Sequence, residues 1–97
     1  MKNYEVIHLD NGLGQLSQVK LTGSVKFRLF YNKKQTEAAY DLISKSLEGI
    51  ESEEERTAIL NEEQEIDLKR IKASELEQIE LSLQDIAALE VILDFDS

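Results

Sequence analysis

The segment EGIESEEERTAILNEEQEID (residues 48–67) sets nine carboxylates against a single cation, Arg56. Carboxylates this dense can do three kinds of chemistry. They can converge on a hard cation, divide into an acid and a base, or present a charged face to a basic partner. A calcium loop of the EF-hand type needs oxygen ligands at alternate positions and a Glu at the twelfth. The best candidate, DNGLGQLSQVKL (10–21), ends in Leu21 instead. The run at 51–55 has no glycine turn, and as the start of a helix it splays its carboxylates apart. Paired carboxylates for glycoside hydrolysis need a cleft with aromatic platforms. The chain has three Phe, three Tyr and no Trp, and most of these are claimed by structural elements.

Other residue types offer less. His8 is the only histidine, and neither a serine elbow nor a cysteine stands ready beside it. Gly12 and Gly14 form G-x-G without a third glycine, and no G-K-[ST] loop occurs, so no nucleotide fingerprint is complete. Lys26, Arg28, Lys33 and Lys34, interleaved with Phe30 and Tyr31, resemble a single-strand-binding face. A net charge of −9 opposes phosphate contact, and a solvated face explains those cations. The reading is therefore non-enzymatic, with no cofactor, no metal and no direct nucleic acid.

The elements that hold these residues are expected to form one α+β domain over 1–97. YEVIHL (4–9), QLSQVKL (15–21) and VKFRLFY (25–31) read as a three-strand antiparallel meander. Asn-Gly in DNGLG and the TGS at 22–24 supply its turns. In the last strand Val25, Phe27, Leu29 and Tyr31 alternate with Lys26 and Arg28. A helix near 33–48 carries Ala39, Ile43 and Leu47 on one stripe. Asn32 or Thr36 is placed to cap it, and Gly49 to end it. Ser52 and Glu55 form a capping box for a second helix near 53–62, burying Ala58, Ile59 and Leu60. One or two later strands, within 65–72 and 78–83, are preferred over a helical reading of the same residues. A third helix, near 83–93, starts at the Ser82–Asp85 capping signal.

Charge is distributed unevenly along this scaffold. Residues 1–47 hold seven cations and four anions, residues 48–67 one and nine, and residues 68–97 three and seven. If helical, Glu51/Glu55 and Glu62/Glu65 repel at about 0.2–0.5 kcal/mol per pair. Retaining such pairs points to a basic partner surface. The candidate contact residues are Glu48, Glu51, Glu53, Glu54, Glu55, Glu62, Glu63, Glu65, Asp67, Glu75, Glu77 and Glu80. All come from charge clustering. Basic surfaces belong above all to nucleic-acid-binding proteins, and duplex DNA carries one charge per about 1.7 Å of axis.

The chain resembles the small acidic phage-encoded inhibitors, in particular anti-CRISPR proteins of the DNA-mimic kind. The resemblance rests on EGIESEEE, NEEQEID and SELEQIE, on the short meander, and on a 97-residue chain without Cys, Pro or Trp. It implies a monomeric inhibitor that covers the DNA-binding surface of a CRISPR surveillance complex, with a type I complex as the first target. The alternative is a phage or prophage accessory protein, or an antitoxin-like module, that binds through Phe30 and the C-terminal helix. No export signal or 18-residue apolar run is visible, so the expected location is the host bacterial cytosol, away from membranes.

Overall fold

The computed structural model describes residues 1–95, and it replaces the expected meander with a helical hairpin. α1 spans Asn3–Leu16 and α2 spans Val25–Leu47. The reason lies in the spacing of the buried residues. Val6, Leu9, Leu13 and Leu16 lie three or four apart on α1, as do Val25, Leu29, Asn32, Thr36, Ala39 and Ile43 on α2. That spacing puts each set on one helical face. The two faces zip antiparallel, so Val6 meets Ala39 and Ile43 at one end, while Leu13 and Leu16 join Val25 and Leu29 at the other. The antiparallel sheet expected for an α+β domain is therefore absent from the described residues. Phe27, expected on the buried face of a strand, is exposed on α2. Asn32 and Thr36, expected as caps, are fully buried inside the helix.

Asn11-Gly12 does not turn the chain either. Gly12 is buried mid-helix where α4 (Leu83–Leu89) crosses α1. A Cβ at Gly12 would stand 2.7 Å from the Ala88 Cβ. This glycine therefore serves helix–helix approach, which sequence alone shows as a hairpin signal. The left-handed positions are Gly23 and Gly49, with φ of 79° and 76°. Gly49 follows the C-terminal cap of α2, where an L side chain would be strained.

α3 is Glu53–Leu60 and buries no residue fully. Ala58, expected in the core, is exposed, while Ile59 and Leu60 are half-buried. Ser52 caps it through the Glu55 amide at 3.4 Å. After the αR cap residue Asn61, residues 62–70 run as a non-helical strap alongside α2. The strap alternates: Gln64, Ile66 and Leu68 are half-buried, and Glu63, Glu65 and Asp67 are exposed. Only Ile71–Lys72 (β1) forms a strand, and it pairs in parallel with Leu93–Asp94 (β2). The segment 78–83, read as a strand, forms none. The C-terminal helix opens with a two-way capping box between Ser82 and Asp85, at 3.0 and 3.2 Å. It continues as a 3-10 turn, Glu90–Ile92. No described helix is long and apolar enough to cross a membrane.

An antiparallel backbone bridge between Lys2 and Glu63 holds the start of the strap. The Asn3 backbone amide donates to the Glu62 carbonyl at 3.0 Å, and the Gln64 backbone amide to the Met1 carbonyl at 2.8 Å. Side-chain amides hold the rest. Asn32 donates to the Lys69 carbonyl at 2.8 Å and accepts from the Lys69 amide at 2.7 Å. Asn3 donates to the Ile59 carbonyl at 2.7 Å and accepts from the Gln64 side chain. Arg70 donates to the Val91 and Leu93 carbonyls, both at 3.0 Å, tying β2 to the strap. Asn32→Leu leaves the part-buried amide and carbonyl of Lys69 without their partner, at a cost of about 1–3 kcal/mol by urea denaturation. Asn32→Asp is also destabilising, because a carboxylate cannot donate to the carbonyl.

The glycines make a second, oppositely signed pair. Gly12→Ala forces α1 and α4 apart and destabilises by about 1–3 kcal/mol. Gly14, whose added Cβ would meet only the Lys33 Nζ at 3.9 Å, gains about 0.5–1 kcal/mol as Ala from backbone entropy. Thermal melts of the two variants should move in opposite directions.

Candidate acidic interface

The twelve acidic residues fall into two groups along the chain. Glu48 caps α2, Glu51 lies in the link, and Glu53, Glu54 and Glu55 form the first turn of α3. Glu62, Glu63, Glu65 and Asp67 follow on the strap. These nine begin at the C-terminal end of α2, where Arg56 donates to the Leu47 and Ile50 carbonyls at 3.4 and 3.2 Å. Glu75 lies beside Arg28 in the first turns of α2, with Glu77 and Glu80 next in the chain. Arg28 and Leu47 are separated by about 28 Å of helix at 1.5 Å per residue. The run starts at the Leu47 end and reaches Asp67 at Tyr31, one turn from Arg28, so Glu75 follows on from its far end.

The first group is built to face outward. Three Glu at the α3 N-terminus sit on the positive end of its dipole, which stabilises them. On the strap, Glu63, Glu65 and Asp67 recur every second residue. An extended chain spaces such side chains about 6.6 Å apart. The repulsion expected for Glu51/Glu55 and Glu62/Glu65 at helical spacing does not apply. Glu51 precedes the helix, and Glu62 and Glu65 are on the non-helical strap.

Intramolecular partners are scarce. Glu63 pairs with the Met1 amine at 2.9 Å, keeping most of its side chain exposed. Asp67 accepts from the Tyr31 hydroxyl, and that carboxylate, aided by desolvation, raises the Tyr31 phenol above its ordinary pKa. Glu75 is half-buried and forked onto Arg28. The Arg28 hydrogen bond, and then the Lys72 amide at 3.0 Å, hold its carboxyl below the usual range. Among the described residues the other nine make no side-chain hydrogen bond or ion pair. Lysines that might have neutralised them lie over aromatic rings instead: Lys2 on Tyr4, Lys26 on Phe27, Lys34 on Phe30 and Lys69 on Tyr31.

His8 lies on the exposed side of α1, not in a strand. It lines an open groove with Tyr4, Glu5, Arg70, Glu90 and Val91. No serine, threonine or cysteine lines that groove. Among the described residues, no three His, Asp or Glu side chains converge as a metal site. Sequence reasoning missed the residues that position the acidic run: Asn3, Asn32 and Gln64. The available signal was a polar residue at an apolar helical position, visible only once the helical spacing is chosen.

No protein-family model matches the chain, and neither does any curated protein or solved structure.

The Arg28–Glu75 fork has a pH signature. The Glu75 pKa is lowered on folding, so its stabilisation is fully present above the unfolded value, about 4.3. It is lost as pH falls through the folded value. Solvent screening keeps the effect modest, because both side chains are partly exposed. In Glu75→Gln, urea midpoints should match the wild type at low pH and fall below it near neutrality. Equal gaps at both pH values contradict the assignment.

Proposed function

We propose that this protein is a non-enzymatic inhibitor whose acidic run, Glu48 to Asp67, occupies the DNA-binding surface of a basic nucleic-acid-binding protein. One observation carries the reading. Among the described residues, seven of the nine carboxylates in this run, all but Glu63 and Asp67, make no internal side-chain hydrogen bond or ion pair, although the chain has cations to offer. The strap that carries four of the nine is pinned by buried amides. An external basic surface supplies the missing charge. Carboxylates at about 6.6 Å intervals are spaced on the scale of phosphates along one nucleic-acid strand. Binding of this kind needs no pocket, metal or catalytic group. It gains affinity and fast association from charge complementarity, and it weakens with salt.

The first target to test is a type I CRISPR surveillance complex, which places the protein among the anti-CRISPR inhibitors acting in the host bacterial cytosol. The Lys and Arg groups that hold target duplex would meet Glu53, Glu54, Glu62 and Glu65. Glu77 and Glu80, which follow Glu75 in the chain and are not part of the run, lie outside the proposed contact.

The test is direct binding of wild type and charge-reversed variants to the purified complex. Reversal of Glu53, Glu54, Glu62 and Glu65 to Lys leaves the helical circular dichroism intact and weakens binding at least about 100-fold. Reversal of Glu77 and Glu80 changes it by less than about threefold. A quadruple variant that binds like the wild type overturns the reading.

A further inference from the structure

Two surfaces outside the acidic run, one around Phe30 and one on the C-terminal helix, have opposite chemistries. From Asn11 to Thr36 the chain carries five cations and no acidic residue. From Ala73 to Phe95 it carries six acidic residues and no cation. In a small protein of net charge −9, this segregation sets up a strong local complementarity.

The basic surface is a groove of about 350 Å³ between α1 and α2, near the turn of the hairpin. Leu13, Leu16 and Leu29 line it from the two helices, and Val19 and Leu21 from the connecting loop. Ser17, Lys26, Phe30 and Lys33 complete the lining; Lys33 is paired with Asp10 at 2.9 Å, so Lys26 supplies the lining's positive charge. Phe27 and Phe30 are 69% and 63% exposed, well beyond what a solvated helix face requires. Lys26 and Lys34 lie over these two rings at 5.3 and 5.5 Å, keeping positive charge beside the apolar opening.

The acidic surface is the outer side of α4. Leu83 is 85% exposed, Ala87 is exposed, and Val91 is 42% exposed. Steps of four residues align them in one apolar stripe running into the 3-10 turn. Glu80 and Glu90 are exposed at its two ends. The opposite side of α4 is committed to the core through Ala88 and Leu89, so the stripe cannot fold inward.

We propose that the α4 stripe of one copy docks into the basic groove of a second copy. An amphipathic helix in an apolar groove is a standard recognition mode. Here the groove supplies an apolar bed and cationic surroundings, and the stripe supplies apolar anchors with acidic flanks. The contact joins two different patches, so it is heterologous. It departs from the monomer expected from sequence. It reaches the edge of the strap at Val91, which shares a cavity with Gln64, Glu65 and Asp67, and it does not rest on the proposed function.

The experiment is sedimentation equilibrium of the full chain from about 1 µM to about 1 mM, a range that brackets weak self-association. The wild type should rise from the 11.1 kDa monomer to at least twice that mass. Leu83→Glu removes the stripe and Phe30→Glu fouls the groove. Each variant alone should stay monomeric with unchanged helical circular dichroism, both positions being well exposed. An equimolar mixture of the two should regain a two-chain species, because each keeps the surface the other lacks. Lys26→Glu, exposed beside the groove, substitutes for Phe30→Glu if that variant misfolds. A wild type that stays monomeric over the whole range overturns the proposal. So do variants that associate like the wild type, or a mixture that remains at monomer mass.

Discussion

The fold turns on the amide of Asn32. It is fully buried in the middle of α2 and bonds both backbone groups of Lys69. An unpaired amide in that position would cost several times what a surface amide does, so the strap and the hairpin must form together. With Lys69 fixed, alternation along the strap settles the rest. Ile66 and Leu68 turn inward to the two apolar clusters, and Glu63, Glu65 and Asp67 turn outward. Arg28, one turn before Asn32, then reaches the Arg70 carbonyl at 3.1 Å and Glu75. A second polar lock, with Thr36 and Lys33 donating to Asp10 at 2.8 and 2.9 Å, fixes the register of the hairpin itself.

This design explains how a small chain tolerates so much like charge. The apolar core lies under α1, α2, α4 and the two short strands. α3 contributes little to it, and the strap contributes only alternate residues. Stability and charge thus come from different parts of the chain. The acidic run can be replaced without opening the core, whereas Asn32 and Gly12 cannot. The proposed function exploits that separation: a rigid hairpin displays a carboxylate-bearing strap whose conformation is set before any partner arrives.

The parts legible in the sequence were those governed by local chemistry. Ser52 and Ser82 mark helix starts, Gly49 marks a left-handed cap, and Glu53 to Glu55 suit a helix N-terminus. The acidic run and its exposure were also readable, since charge seldom enters a core. The N-terminal half was misread because two periods share the same residues. Val25 and Leu29 belong equally to a strand face and to a helix face, and Phe27 and Tyr31 complete the strand pattern by coincidence. The helical pattern is interrupted at its third and fourth positions by Asn32 and Thr36, whose burial depends on partners thirty-seven and twenty-six residues away in sequence. Gly12 misled for a similar reason, since its need for no side chain arises from Ala88. The strap looked like a strand, but it pairs through backbone only at Glu63, against Lys2, and Lys69 is held by the Asn32 side-chain amide, which no alternation rule predicts. Likewise, no linear reading could show that Glu75 is forked onto Arg28.

The central claim is that the acidic run stands in for DNA. Its most direct test is equilibrium competition: binding of labelled duplex target by a purified type I surveillance complex, titrated with this protein at low and at high salt. The account predicts that the apparent DNA dissociation constant rises in proportion to inhibitor concentration, and that this competition fades as salt is raised. An unchanged DNA affinity at saturating protein, or inhibition equally strong at high salt, would contradict it.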